Sequence, residues 1–504
     1  MDKFQNYKPL RNLLRKYNLR ASLEDLWRYA QMLSKNLPME HIWVNNEAVP
    51  ISNFVYAWDI PIICRELILN ATSEGMKRLK TWAEFSAVVR AVRQVDDAIA
   101  KDQAAEDVLM GLMPVVQQQF PWQRKHHLNE LMRSLKIYSS PDVDALLVRE
   151  TGIPARVWFF VGFAIAGAMA KEAGISANQS YEFVGITRAQ SDQVYRRIAT
   201  TFNELKTVTQ SEQQYDDRWK FTLNPMLRWP LLSLIPGQPH LLHCPIPSYV
   251  LQRVSSGLYY EIVGAQGFGK PFGSAFEAYV GEVLHITFPQ PQFTIQAEQR
   301  YRVGKDEKLT TDWILSDAQA TVFLECKAKR MTPVGKVSAD PEVLTKEVSD
   351  LAKAVVQVYK SIRDAKNGLT PWHPNGLPLY PVVLTLEDWY LFGPLVDLLR
   401  REVETRMGAA KLDISWLTEM PYSVLSCADF ESVSPTMAHV GLGQFFERRF
   451  AGEESRWLFL DFAQKYFPEV YRATAHRVLF EDKWRSVFPQ AVLPKSFEQN
   501  PVTG

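Results

Sequence analysis

Residues Leu309 to Arg330 read "LTTDWILSDAQATVFLECKAKR". Side chains alternate faces along a strand. "TVFLECKAK" therefore sets Thr321, Phe323, Glu325, Lys327 and Lys329 on one face and Val322, Leu324 and Cys326 on the other. Both faces are apolar where the strand begins, and one becomes polar where it ends, as in a central strand whose end emerges at a cleft. "SDAQA" supplies a turn between "TTDWIL" and "TVFLEC". With Asp317 to Ala320 in the turn, Ser316 pairs with Thr321, Leu315 with Val322 and Trp313 with Leu324. The same register sets Asp312 opposite Glu325, with Cβ atoms about 5 Å apart. A slip of one residue would move Asp312 to the other face.

Two carboxylates that close repel unless a cation lies between them. Mg2+ is the natural candidate, because it takes one or two carboxylates together with water and phosphate oxygens. Lys327, on the same face, can hold a water or an oxyanion. Together these groups suit phosphodiester hydrolysis: a metal to neutralise phosphate and activate water, and a lysine to position the nucleophile and stabilise developing charge. The alternative is a salt-bridge ladder on an exposed sheet face. Opposed acids make a poor ladder, and the apolar start of the strand argues against exposure.

In order along the chain, Asp312, a hairpin and then Glu325-Cys326-Lys327 resemble the PD-(D/E)XK nuclease superfamily, the restriction-endonuclease-like fold. The resemblance covers roughly Leu251 to Phe430. It implies an α/β fold: a restriction-endonuclease-like mixed sheet flanked by helices. It implies that Asp312, Glu325 and the Cys326 carbonyl hold Mg2+ or Mn2+, with Lys327 orienting the attacking water. Glu277, in "FGSAFEAYVGEVL", matches the family's helix glutamate, a further metal or water ligand. The later "AVVQVYKSI" supplies Gln357, Tyr359 and Lys360 where the family places a helix beside the site. Thr311 stands where the family motif has proline, a departure that leaves the acidic pair and the lysine intact.

Several of these residues have plainer readings. Ser274 and Glu277 have capping-box spacing, although Glu277 also lies at the edge of the stripe Phe276, Val280 and Val283, while Glu282 points to the opposite, solvated face. Leu344, Val348, Leu351, Val355, Val358 and Ile362 form the core stripe of the later helix. Lys346, Asp350, Lys353, Gln357, Lys360 and Asp364 form its polar stripe, which either lines a nucleic-acid groove or faces water. "KAKRMTPVGK" gathers Lys327, Lys329, Arg330 and Lys336 without an acid, as a phosphate backbone would require.

The rest of the chain frames this region. A length of 504 residues implies two to four domains. The net charge of +1 means that any basic surface is local. Cys64, Cys244, Cys326 and Cys427 form no CxxC pair and fit a reducing cytoplasm. No signal-peptide pattern is visible, and the apolar run Val157 to Ala170 is too short to cross a bilayer. The expected organisation is a helical sensing or regulatory region over 1–215 and a proline-rich ordered connector over 216–250. A nuclease domain follows over 251–435, then a helical extension over 436–504. "AGISANQSYEFVGITRAQSDQVYRRIATTF" offers two helices around a turn, with Arg188, Arg196 and Arg197 on or near the second. His240, His243 and Cys244 invite a zinc reading but lack a fourth ligand. "GLYYEIV" is expected as a strand leading through "GAQGFGKP" to a helix beginning at Ser274. That loop nearly matches a phosphate-binding loop, with Pro271 in place of the hydroxyl residue.

The function expected is metal-dependent hydrolysis of DNA. A nuclease domain joined to a large helical region resembles prokaryotic anti-phage defence proteins, which implies a partner protein or a phage-derived activator. The alternative is a non-catalytic nucleic-acid-binding or interaction protein on a degenerate nuclease fold. An NTP-dependent switch at Lys270 is a third reading.

Overall fold

Five strands make the central sheet: β1 (Thr294–Ala297), β2 (Trp313–Ser316), β3 (Thr321–Lys327), β4 (Leu379–Thr385) and β5 (Ser423–Ser426). In this computed structural model, residues 4–100, 108–123, 128–216, 218–474 and 479–480 are described; the terminal stretch "SFEQNPVTG" lies outside them. The strand order is β5-β4-β3-β2-β1. The β1–β2 and β2–β3 pairs are antiparallel, whereas β3, β4 and β5 are mutually parallel. The chain is thus a mixed α/β protein.

The hairpin register follows the sequence arithmetic: Ser316 pairs with Thr321, Leu315 with Val322 and Trp313 with Leu324. Asp317 closes the turn, its N–H donating to the Ala320 carbonyl at 3.1 Å. Its carboxylate accepts from the Gln319 and Ala320 N–H groups.

Helices cover both faces of the sheet. On one side, α1 (Gly269–Thr287) and α4 (Cys427–Val440) bring Phe276, Val280, Val283, Phe430 and Val433 against Leu315, Val322, Leu324, Val382 and Leu384. On the other, α2 (Pro341–Lys366) and α3 (Pro394–Ala409) bring Leu344, Val348, Val355, Leu395 and Val403 against Ile314, Phe323 and Val383. Each such aliphatic side chain removed from water contributes about 1.5–3 kcal/mol. The α2 start is set by Asp340, whose side chain accepts from the Glu342 N–H, and by Pro341 in the first turn.

Four local expectations are corrected. "GLYYEIV" is helical, with a 3-10 turn at Ser256–Leu258 and a short helix at Tyr259–Ile262. Leu258 and Ile262 are the fully buried residues there, a four-residue spacing, and Tyr260 is exposed. The helix beyond begins at Gly269, so Ser274 and Glu277 are interior and form no capping box. With no strand before it, "GAQGFGKP" also lacks the setting of a phosphate-binding loop. "QFTIQAEQRYRV", whose sequence is read as a single strand, is two: β1, and Arg300–Val303 in a separate hairpin with Asp306–Leu309. Of the two helices expected around a turn, only the second exists, at Arg188–Ile198 behind a Thr187–Gln190 capping box. The first half is a strand, Gly174–Ser176, and a 3-10 turn, Glu182–Val184.

That strand belongs to a four-stranded sheet with Leu241–His243, Leu231–Ser233 and Ala199–Thr201. The sheet thus joins strands on both sides of position 215. The core on the α1 side likewise takes in Leu131, Leu135, Trp158 and Phe159 from upstream helices and Phe445, Phe459 and Phe462 from downstream ones. Among the described residues no single helix is long and apolar enough to cross a membrane. The apolar run from Val157 lies in the helix Ala155–Met169, most of whose side chains are buried.

Candidate active site

The end of β3 carries Glu325, 2% exposed, and the half-buried Lys327. Lys327 Nζ donates to Glu325 Oε1 at 2.7 Å and lies 3.5 Å from Gln357 Oε1 on α2. Glu325 Oε2 is buried and has no hydrogen-bond partner among the described residues. A buried carboxylate oxygen left unbonded is costly, and a cation, a water or a proton would relieve it.

Asp312 stands just before β2. Its Oδ2 accepts the Cys326 N–H at 2.6 Å, beyond the last ladder pair, Trp313 with Leu324. The Thr311 N–H bonds Ser361 Oγ at 3.2 Å, tying this corner to α2. In extended backbone a residue's N–H and C=O point to the same side. The Lys327 carbonyl accepts from Leu386, beyond β4. The Cys326 carbonyl is therefore turned the other way, toward Asp312.

Glu277 reaches the site from α1, the helix packed against Trp313. Trp313 Nε1 donates to the Glu277 carbonyl at 3.2 Å. One turn on, Gly281 permits the approach, since a Cβ there would stand 2.2 Å from Trp313 Cζ2.

Burial, then the charges of Asp312 and Glu298, push the Glu277 carboxyl up to about 7. Burial and Asp312 likewise push Glu325 up to about 7 against the pull of Lys327. Asp312 is raised by burial, which outweighs the Cys326 N–H and Lys327. Burial opposes the Lys327 charge, but Glu325 and Asp312 hold its ammonium above the usual range. Burial and Asp312 raise Glu298 too.

Glu298 was not anticipated. The β1–β2 ladder ends at Ala297 with Trp313. One step further, Glu298 falls level with Asp312, as Asp312 does with Glu325. Three acids thus gather where β1 and β3 end and β2 begins, Glu298 and Glu325 both feeling the charge of Asp312. The signal was available in "QAEQR" by the same register arithmetic, once β1 is ended at Ala297.

No protein-family model, curated protein or solved structure matches this chain. The site stands on its own chemistry.

Among the described residues no group of three or more His, Cys, Asp or Glu side chains is placed to hold a metal ion, at this site or around His240, His243 and Cys244. The fit to Mg2+ or Mn2+ rests on Asp312, the open Glu325 oxygen and the outward Cys326 carbonyl, a hard-oxygen set that leaves positions for water and phosphate.

The anticipated basic residues divide. Lys329 pairs with Asp350, which also takes Lys353 at 2.7 Å. Lys336 pairs with Glu387 at 2.5 Å. Arg330 is buried: it donates to the Ser256 carbonyl and lies 4.2 Å from the Tyr259 ring. It is a packing cation, not a surface contact. Gln357 and Lys360 are exposed on α2. Tyr359 is buried, its hydroxyl donating to the Met420 carbonyl at 2.7 Å. Asp364, read as part of the polar stripe, is buried against Tyr301 and Lys308. Glu282, read as solvated, pairs with Lys136 at 2.5 Å.

Proposed function

We propose that this protein is a divalent-metal-dependent nuclease with a PD-(D/E)XK-like core, hydrolysing phosphodiester bonds in DNA. One observation carries the reading: Asp312 and Glu325 meet at the end of β3, with Lys327 on one Glu325 oxygen and the other oxygen buried and unpartnered. The succession of α1, the hairpin, the E-x-K strand and α2 around a mixed sheet supports the core assignment.

Asp312, Glu325 and the Cys326 carbonyl would hold Mg2+ or Mn2+, which supplies Lewis-acid stabilisation of phosphate oxygens and activation of water. Lys327, anchored by Glu325, orients the attacking water and neutralises charge developing on the phosphate. Glu277, balanced between its two protonation states near neutral pH, can hold or release a proton at its carboxyl oxygen. Lys360 and Gln357 line the approach from α2, and the two lysines on Asp350 leave one positive charge in excess there. The helical N-terminal part would then sense or recruit, as in the anti-phage proteins that the architecture resembles.

One observation favours the second reading, a non-catalytic nucleic-acid-binding protein: Lys327 is already paired with Glu325. Incubation of supercoiled plasmid and of RNA with the protein and Mg2+ or Mn2+ separates the two. The nuclease reading expects DNA cutting that falls about 100-fold or more in Glu325→Gln and Lys327→Met. Binding without cutting, or equal cutting by the variants, overturns it.

A further inference from the structure

A cavity of about 560 Å3 runs along β5, the edge strand of the sheet, from Ser423 at its start to Ser426 at its end, and past Thr385 at the end of β4; Trp389, Arg449 and Trp457 are among its other lining residues. The volume suits a small molecule.

Its wall is rich in buried hydrogen-bonding groups without partners. Arg449 is 4% exposed. Its Nη2 donates to the carbonyls of Ser455 and Trp457 at 3.1 and 2.9 Å. Its Nε and Nη1 have no partner among the described residues. Trp389, 2% exposed, and Ser423, 5% exposed, line the same cavity. Trp389 Nε1 and Ser423 Oγ are likewise unpartnered among the described residues. Two of these three side chains are donors only, the third can donate, and one carries a full positive charge. Asp388 and Asp397 also line the cavity, but Asp397 pairs with Arg456 and Asp388 accepts from Ser426 Oγ, which leaves Arg449, among the described residues, as the buried cation with free donors there. Asp429 offsets part of its charge, yet burial still pulls the guanidinium down to about 9. The half-buried Tyr422 and the more exposed Trp457 supply flat walls.

We propose that this cavity binds a small organic oxyanion, a phosphate or carboxylate carried on a planar ring, with Arg449, Trp389 and Ser423 donating to its oxygens. The site is separate from the one at the end of β3: none of Asp312, Glu325 and Lys327 lines the cavity.

The test is calorimetric titration of the full chain with AMP and indole-3-acetate as charged probes. Adenosine and indole-3-acetamide serve as their neutral counterparts, and inorganic phosphate as the ringless control. At least one charged probe should bind, and at least tenfold more tightly than its neutral counterpart and than phosphate. AMP alone binding identifies a phosphate ligand; indole-3-acetate alone identifies a carboxylate. Trp389→Phe and Ser423→Ala, which keep the packing, should each weaken that probe about tenfold, and Arg449→Lys more. Because Arg449 also holds two backbone carbonyls, its variant is read only if its circular dichroism matches wild type, and the other two decide otherwise. Failure of both charged probes to bind, neutral or ringless probes binding as tightly, or unchanged affinity in Trp389→Phe and Ser423→Ala overturns the proposal.

Discussion

Glu325 sits in conflict with its surroundings: a buried acid beside another acid, with one oxygen unbonded. Glu325→Gln keeps an acceptor for Lys327 and removes a buried charge. Its folding free energy by urea denaturation should stay within about 1 kcal/mol of wild type, while cleavage is lost. Lys327→Ala does the opposite to the fold, stranding the Glu325 carboxylate, and should cost about 1–3 kcal/mol. A Glu325→Gln variant that unfolds would show the residue to be structural. At this scale the sequence was informative where strand alternation fixed the face, as for Asp312, Glu325 and Lys327. It was misleading for Arg330 and Asp364, because charged side chains turn inward when partners wait there: a carbonyl, a ring and Glu387 for one, a tyrosine and a lysine for the other.

Among the elements, the β2–β3 hairpin was legible because one turn and a two-residue period determine every pair. The β1 strand was not, because nothing local in "QAEQR" marks where pairing passes to another hairpin, and Glu298 was missed with it. "GLYYEIV" failed because aromatic and β-branched residues favour strands, yet the decisive burial of Leu258 and Ile262 follows a helical period. How α1 is held over β2 is testable. Gly281→Ala would drive a methyl into the Trp313 ring and should destabilise by about 1–3 kcal/mol. In a Trp313→Phe background, where the clashing atoms are gone, the same change should cost less than half as much, a coupling that a double-mutant cycle measures. Additive costs would mean that the helix does not rest on Trp313.

At the scale of the molecule, the sequence showed helices flanking an α/β part but not how they share a core, since no one-dimensional pattern reports which helix buries which sheet face. A chain cut to 251–504 loses Leu131, Leu135, Trp158 and Phe159 from the α1 layer. It should show no cooperative urea transition by circular dichroism, whereas a sharp one would establish an independent domain. The four-stranded sheet carries its own pH sensitivity. His243 is 9% exposed, and burial holds its imidazole below the ordinary 6.5, with Glu24 pulling the other way. The unfolded chain therefore binds the proton first. The stability His243 contributes is whole above about pH 6.5 and is lost as pH falls through 6.5 toward the lowered folded value. Between about pH 7 and pH 5, His243→Gln should flatten the fall in urea midpoint seen in wild type. An identical fall in both would assign it to other groups.

The central claim is that Asp312 and Glu325 hold a divalent cation. Anomalous diffraction from crystals equilibrated with Mn2+ tests it directly. The account predicts a peak bonded to Glu325 Oε2 and an Asp312 oxygen, within reach of the Cys326 carbonyl and absent in Glu325→Gln. No peak there, or a peak that persists in the variant, would contradict it.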